Sequence, residues 1–166
     1  MDKKLAQAAS TGLLELLREL LELERRLAAR LRQQRQQLID GEARAARNHV
    51  ADIRRLCGQI AEVEARRQTW TARFCAERAL DITSVRLVDL VEHPDVRVDK
   101  QELLAISSQL RDALQEVADL RDQVQALAEQ AKAYSDWGLQ AIRDSARRGP
   151  YVSAVIRGGH FIDMQS

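Results

Sequence analysis

The chain has little of what usually interrupts a fold. Of 166 residues, two are proline, two are cysteine and seven are glycine, and aromatics make up 4%. So few turn-formers argue against a many-stranded β fold, whose short strands need a turn signal every ten residues or so. With aromatics this scarce, Leu, Ala, Val and Ile must supply the core of a chain that is 45% hydrophobic. Cys57 and Cys75 stand eighteen residues apart on one predicted helix. That is about 27 Å at 1.5 Å per residue, too far to bridge within the helix. Reduced thiols in a cytoplasmic protein are the simple account. No run of about eighteen apolar residues is available to cross a bilayer, and no secretory apolar segment opens the chain. The expectation is a soluble cytoplasmic protein without stable membrane insertion.

A surplus of one sign of charge is also missing, since the net charge is +1. Neither a nucleic acid nor an anionic membrane is therefore expected as the main partner. The halves differ: residues 24–78 carry thirteen Arg and seven acids, whereas residues 81–144 carry seven Lys or Arg and thirteen acids. Two halves packed side by side neutralise each other. A nucleic-acid groove would need stacking aromatics, and the basic half has only Trp70 and Phe74, both at apolar helix positions.

What is abundant is Leu, Ala, Glu, Arg and Gln at helical spacing. Ser10 or Thr11 is placed to cap a first helix, with Glu15 and Glu19 near its positive end. Leu13, Leu16, Leu20, Leu23, Leu27, Leu31 and Leu38 hold one apolar stripe, which Leu14, Leu17 and Leu21 widen. Asp40-Gly41 ends the pattern, because Gly accepts the left-handed backbone that stops a helix and Asp can cap the next. A second helix is expected from about Glu42 to Arg78, with the stripe Ala43, Ala46, Val50, Ile53, Cys57, Ile60, Val63, Trp70 and Phe74. Arg67 breaks this repeat at an inward position and should snorkel.

Residues 79–99 hold one short helical pattern, at about Ser84 to Val91, stopped by His93-Pro94. Asp99-Lys100-Gln101-Glu102 then reads as a capping box. The helix it opens is the most regular: Leu103, Leu110, Val117, Val124 and Ala131 recur every seven residues, as do Ile106, Ala113, Leu120, Leu127 and Tyr134. It continues to about Ala146, with Gly138 a weak point, before Gly149-Pro150.

The expected fold is all-α, an elongated antiparallel bundle of three long helices with a short crossover helix and a non-helical C-terminal tail. Residues 1–148 form the bundle domain and residues 149–166 a flexible tail. Expected helix lengths of about 29, 37 and 47 residues correspond to roughly 43, 55 and 70 Å. The third helix should outrun the others by ten residues or so, leaving apolar side chains for the tail, a second copy or a partner protein to cover.

Catalytic chemistry is not assembled anywhere. His49, His93 and His160 are scattered over a helix, a turn and the tail, without ligands at metal spacing. Cys57, on the apolar stripe, reads as a small core residue, and Cys75 has no helix N-terminus to lower its pKa. Glu62 and Glu64 are two apart on a helix and do not face a common substrate. Gly158-Gly159 lacks the strand and helix of a phosphate loop. No enzyme activity, metal or cofactor is expected.

The first helix LLELLRELLELERRLAARLRQQRQQLIDGEARA, its Asp-Gly turn, a second heptad helix, a crossover, a long third helix and a tail with Tyr151, Gly158, Gly159, Phe161, Ile162 and Asp163 together resemble the FlgN family of flagellar export chaperones. The likeness runs along essentially the whole chain. Family members commonly carry a Tyr-Gly pair near the end of the last helix, where this chain has Tyr134-Ser135-Asp136-Trp137-Gly138. The resemblance implies a cytoplasmic chaperone that binds the C-terminal helices of hook-filament junction proteins, of the FlgK and FlgL type, and delivers them to the export gate protein FlhA. No cofactor is implied.

The residues themselves suggest where a guest would sit. An uncovered bundle end accepts an amphipathic helix by groove packing, which makes Leu127, Ala131, Tyr134, Trp137, Leu139 and Ile142 the candidate client surface. Tyr151, Val155, Ile156, Phe161 and Ile162 are the candidate export-gate or regulatory tail, able to cover the overhang or dock elsewhere. The competing reading is a structural coiled-coil tether or dimeric scaffold, against which the crossover argues because it folds the chain back. The same heptads serve seams within one chain or between two, so a homodimer is compatible with the pattern.

Overall fold

The computed structural model describes residues 2–81 and 100–147, with side chains from Gly12 onward. The expected crossover helix and the tail lie outside these residues. Among the described residues there are three helices: α1 (Asp2–Ile39), α2 (Ala43–Glu77) and α3 (Lys100–Arg147). Both α2 and α3 pack on α1, and no strand occurs among the described residues.

α1 begins earlier than expected. Asp2 to Ala9 contains good helix formers and neither Gly nor Pro, so α1 starts before Ser10 and Thr11, which lie in its interior and not at its N-terminus. Its end is as expected: Gly41 has φ +76°, and the amide of Glu42 donates to the carbonyl of Gln37 at 2.8 Å, closing the Schellman pattern. Asp40 does not cap α2. Its carboxylate accepts from the Gln36 amide at 2.9 Å, and Glu42, the N-cap residue of α2, makes no side-chain cap hydrogen bond. α2 ends at Glu77, and Ala79, with φ 51°, turns the chain away from the helix.

The Leu-rich stripe of α1 is the centre of the core. Leu13, Leu14, Leu17, Leu20, Leu21, Leu23, Leu27, Ala28 and Leu31 are all buried, an arc wide enough to receive a helix on each side. From α2 the core takes Leu56, Val63, Trp70 and Phe74, and from α3 it takes Leu103, Ile106 and Leu120. Trp70 and Phe74 stack at 5.1 Å between centroids, and the Arg78 guanidinium lies 3.8 Å over the Phe74 ring. One expected core residue is wrong: Cys57 is exposed and its neighbour Leu56 is buried. Ile53, Leu56, Ile60 and Val63 keep alternating steps of three and four, and the larger apolar side chain takes the inward place. Arg67 is half-buried and reaches Glu64 through two hydrogen bonds of 2.8 and 2.6 Å. That pairing holds the Glu64 carboxyl below its ordinary pKa and raises that of the guanidinium.

Polar contacts fix the directions of the helices. Arg66 pairs with Glu19 at 2.6 Å, Arg30 faces Asp52 at 3.7 Å, and Gln34 donates to the Ala46 carbonyl at 3.2 Å, so numbers rise on α1 as they fall on α2. These two helices are antiparallel. On the other side Arg18 meets Glu102, Arg25 meets Gln109 and Arg32 meets Glu116, each pair 84 residues apart. α3 therefore runs parallel to α1, as the first and third helices of an up-down-up antiparallel bundle do. α3 starts at the end of the bundle where α2 stops and runs antiparallel to α2.

Candidate functional site

The ladder between α1 and α3 decides what stays uncovered. An offset of 84 puts Ile39, the last residue of α1, level with Gln123, and the turn to α2 level with residues 124–126. Everything from Leu127 to Arg147 then projects past both other helices. These twenty-one residues span about 32 Å, roughly twice the expected overhang. The difference comes from register, because α3 starts level with Leu16, several residues further along the bundle than the level at which α2 ends.

Burial follows the same boundary. Leu120 is the last buried residue of α3, Val124, Leu127 and Ala131 are half-buried, and beyond them the surface is open. Tyr134 is 68%, Trp137 72% and Ile142 68% exposed, and Leu139 is half out. Gln130, Ala133, Tyr134 and Trp137 line a shallow apolar hollow of about 420 Å³.

At 100° per residue, Leu127 lies within about 20° of Tyr134 around the helix, Ala131 and Trp137 about 60° to either side, and Ile142 about 80° away. These five share a face. Leu139 stands about 140° from Tyr134 and cannot meet the same partner helix. Gly138 and Ala141, not among the expected site residues, do lie on the face, continuing the two heptad rows that α3 uses against α1. Five of the six charged residues of the overhang, Glu129, Lys132, Asp136, Arg143 and Arg147, stand about 140° or more from Tyr134, with Asp144 alone on its flank. The face is uncharged along its centre for three heptads. The tail residues Tyr151, Val155, Ile156, Phe161 and Ile162 lie outside the described residues.

A second feature was not singled out from the sequence. Glu24 sits inside the Leu stripe of α1, 5% exposed, and its Oε2 has no hydrogen-bond partner among the described residues. Burial pushes its carboxyl pKa above the ordinary value. The signal was present in the spacing, since Glu24 follows Leu20 by four and precedes Leu27 by three.

Nothing else among the described residues gathers reactive groups. Among the described residues no three His, Cys, Asp or Glu stand together as metal ligands would, and no helix is long and apolar enough to cross a membrane. Two grooves along α1 and α2 are lined mainly by charged side chains, several of them paired with one another. Comparison with family descriptions, curated proteins and solved structures finds no match to the chain.

Proposed function

We propose that this protein is a binding module and not an enzyme, and that it holds an amphipathic helix of another protein on the projecting part of α3. The observation that carries this reading is the exposure of Tyr134, Trp137 and Ile142 on a heptad seam that runs three repeats past the end of α1. Burying a large apolar side chain of this kind contributes about 1.5–3 kcal/mol, so three of them support a reversible complex. A guest disordered when alone gives up part of that energy on ordering, which keeps it releasable.

The resemblance to FlgN chaperones supplies the identity of the guest: the C-terminal helix of a FlgK- or FlgL-type junction protein, kept from early assembly in the cytoplasm and handed to FlhA. The C-terminal residues Tyr151 to Ile162 are assigned to the gate or to regulation on the same ground. A coiled-coil tether fits less well. Antiparallel α1 and α2 with α3 folded back beside α1 make a bundle of the chain, where an extended rod would keep its helices apart.

The test is a pull-down with those C-terminal helices, repeated with Trp137→Ala and Ile142→Ala. Each variant should weaken binding by about tenfold or more while helicity measured by circular dichroism stays constant. Undiminished binding in both variants would move the guest to another face and overturn the assignment.

A further inference from the structure

The projecting face of α3 fits a partner more specific than amphipathic helices in general. Against α1, one heptad row of α3 is Leu103, Leu110, Val117 and Val124, all large; past the end of α1 the same row becomes Ala131, Gly138 and Ser145. The neighbouring row continues as Leu127, Tyr134 and Ala141. In an antiparallel helix pair, residues of one row face residues of the other. Two copies of this helix then meet with Tyr134 over Gly138 of the other copy, Leu127 over Ser145 and Ala131 over Ala141. Two of these layers set a large side chain against a small one, and the third sets Ala against Ala, which suits closely approaching backbones. Gly138 has nothing within 4 Å of the position a Cβ would take, so the space for the Tyr134 ring is open.

Length selects the same register. In this pairing Arg147 of the second copy comes level with Gln125, at the turn between α1 and α2. A shift of one heptad one way would drive that helix end into α1. A shift the other way would leave Leu127 bare and set Gly138 against Ala141 with no large side chain to fill the layer. Charge agrees at the same place. Asp40 and Glu42 are exposed at the turn and neither has a cationic partner within 4.0 Å among the described residues, whereas the last turn of α3 carries Arg147. The uncharged centre of the face brings no like charges together.

We infer that the projecting helix is self-complementary: two copies of this chain pair antiparallel through Leu127 to Ser145, with Tyr134 of each packed on Gly138 of the other and Arg147 of each beside Asp40 and Glu42 of the other. The pairing covers the face assigned above to a guest, so guest and second copy exclude each other, and the chain stores its own sticky surface until a guest competes for it.

Light scattering on the full chain over a range of concentrations reads the pairing directly. The expected mass is twice 18.8 kDa, falling to the monomer value in Gly138→Arg and in Tyr134→Arg with circular dichroism unchanged. Orientation is read in a Cys57→Ser background by mixing Ala131→Cys protein with Ala141→Cys protein under mild oxidation. The mixed disulfide should form in preference to either homotypic one. A chain that stays monomeric at every concentration overturns the inference and leaves the guest reading standing. So does a dimer indifferent to both arginine variants, or cross-linking that favours Ala131→Cys with itself, as a parallel pair would. Retention of the dimer in the presence of a saturating guest helix would instead separate the two faces and sink their competition.

Discussion

Glu24 is the residue whose cost can be read most directly. A carboxylate inside a Leu stripe, with one oxygen unsatisfied, is destabilising in its charged form, and burial accordingly raises its pKa in the folded state. The sign follows from proton uptake. Where the folded pKa exceeds the unfolded value of about 4.5, folding is favoured while the group is protonated, and that advantage is lost as the pH rises from the unfolded pKa through the folded one. Glu64 works the other way, because Arg67 lowers its folded pKa; its contribution is present above the ordinary carboxylate range and is lost on acidification. The Glu24 effect is therefore isolated as a difference between proteins. Glu24→Leu should be more stable than the wild type by about 1–3 kcal/mol at pH 7, and the gap should narrow as denaturant melts are taken toward pH 4. A gap that is constant with pH would mean that the carboxyl is not desolvated in the fold.

Among the elements, the register of α3 on α1 has the largest consequence and was the least legible beforehand. Period and punctuation located the three helices and the Asp40-Gly41 turn, since a three-and-four repeat and a Gly are local signals. Translation along the seam is not local: sliding α3 by one heptad keeps Leu and Val facing Leu and changes only the flanking polar pairs. Those pairs were in the sequence, Arg18, Arg25 and Arg32 on one side and Glu102, Gln109 and Glu116 on the other, and their common separation of 84 identifies the register once the helices are known to be parallel. Leu56 and Cys57 show the same limitation across a helix, where adjacent residues compete for one inward place. The ladder side chains are about half exposed, so each pair contributes only about 0–1 kcal/mol. Their role in choosing the register is tested by charge reversal. Glu102→Arg with Glu116→Arg should lower stability by about 1–2 kcal/mol at low salt, and adding Arg18→Glu with Arg32→Glu should restore most of it. In a register displaced by seven residues the facing partners would be Gln109 for Arg18 and Gln109 or Gln123 for Arg32, so the compensating substitutions would bring no specific recovery.

For the molecule as a whole, the register divides stability from binding along a single helix. The part of α3 up to Leu120 is held in the core, and the part beyond Leu127 touches neither α1 nor α2 at its own level. A helix of twenty-one residues is marginal in isolation, but here it is nucleated by the turns of α3 already packed on α1, and its helicity costs the bundle little. Ending the chain at Ala126 should therefore change the unfolding free energy by less than about 1 kcal/mol, a shift of roughly 2–4 °C in Tm for a domain of this size. The same truncation should abolish binding of the guest helix and, with it, pairing between copies. Because Trp70 is buried between α1 and α2 whereas Trp137 is 72% exposed, the removed tryptophan is the solvent-facing one. The emission of the truncated protein should shift to shorter wavelength in the native state and match the full chain's Trp70 signal on unfolding. A truncated chain that loses several kcal/mol would show that residues after 126 belong to the core, and the separation between a stable bundle and a free binding arm would fail with it.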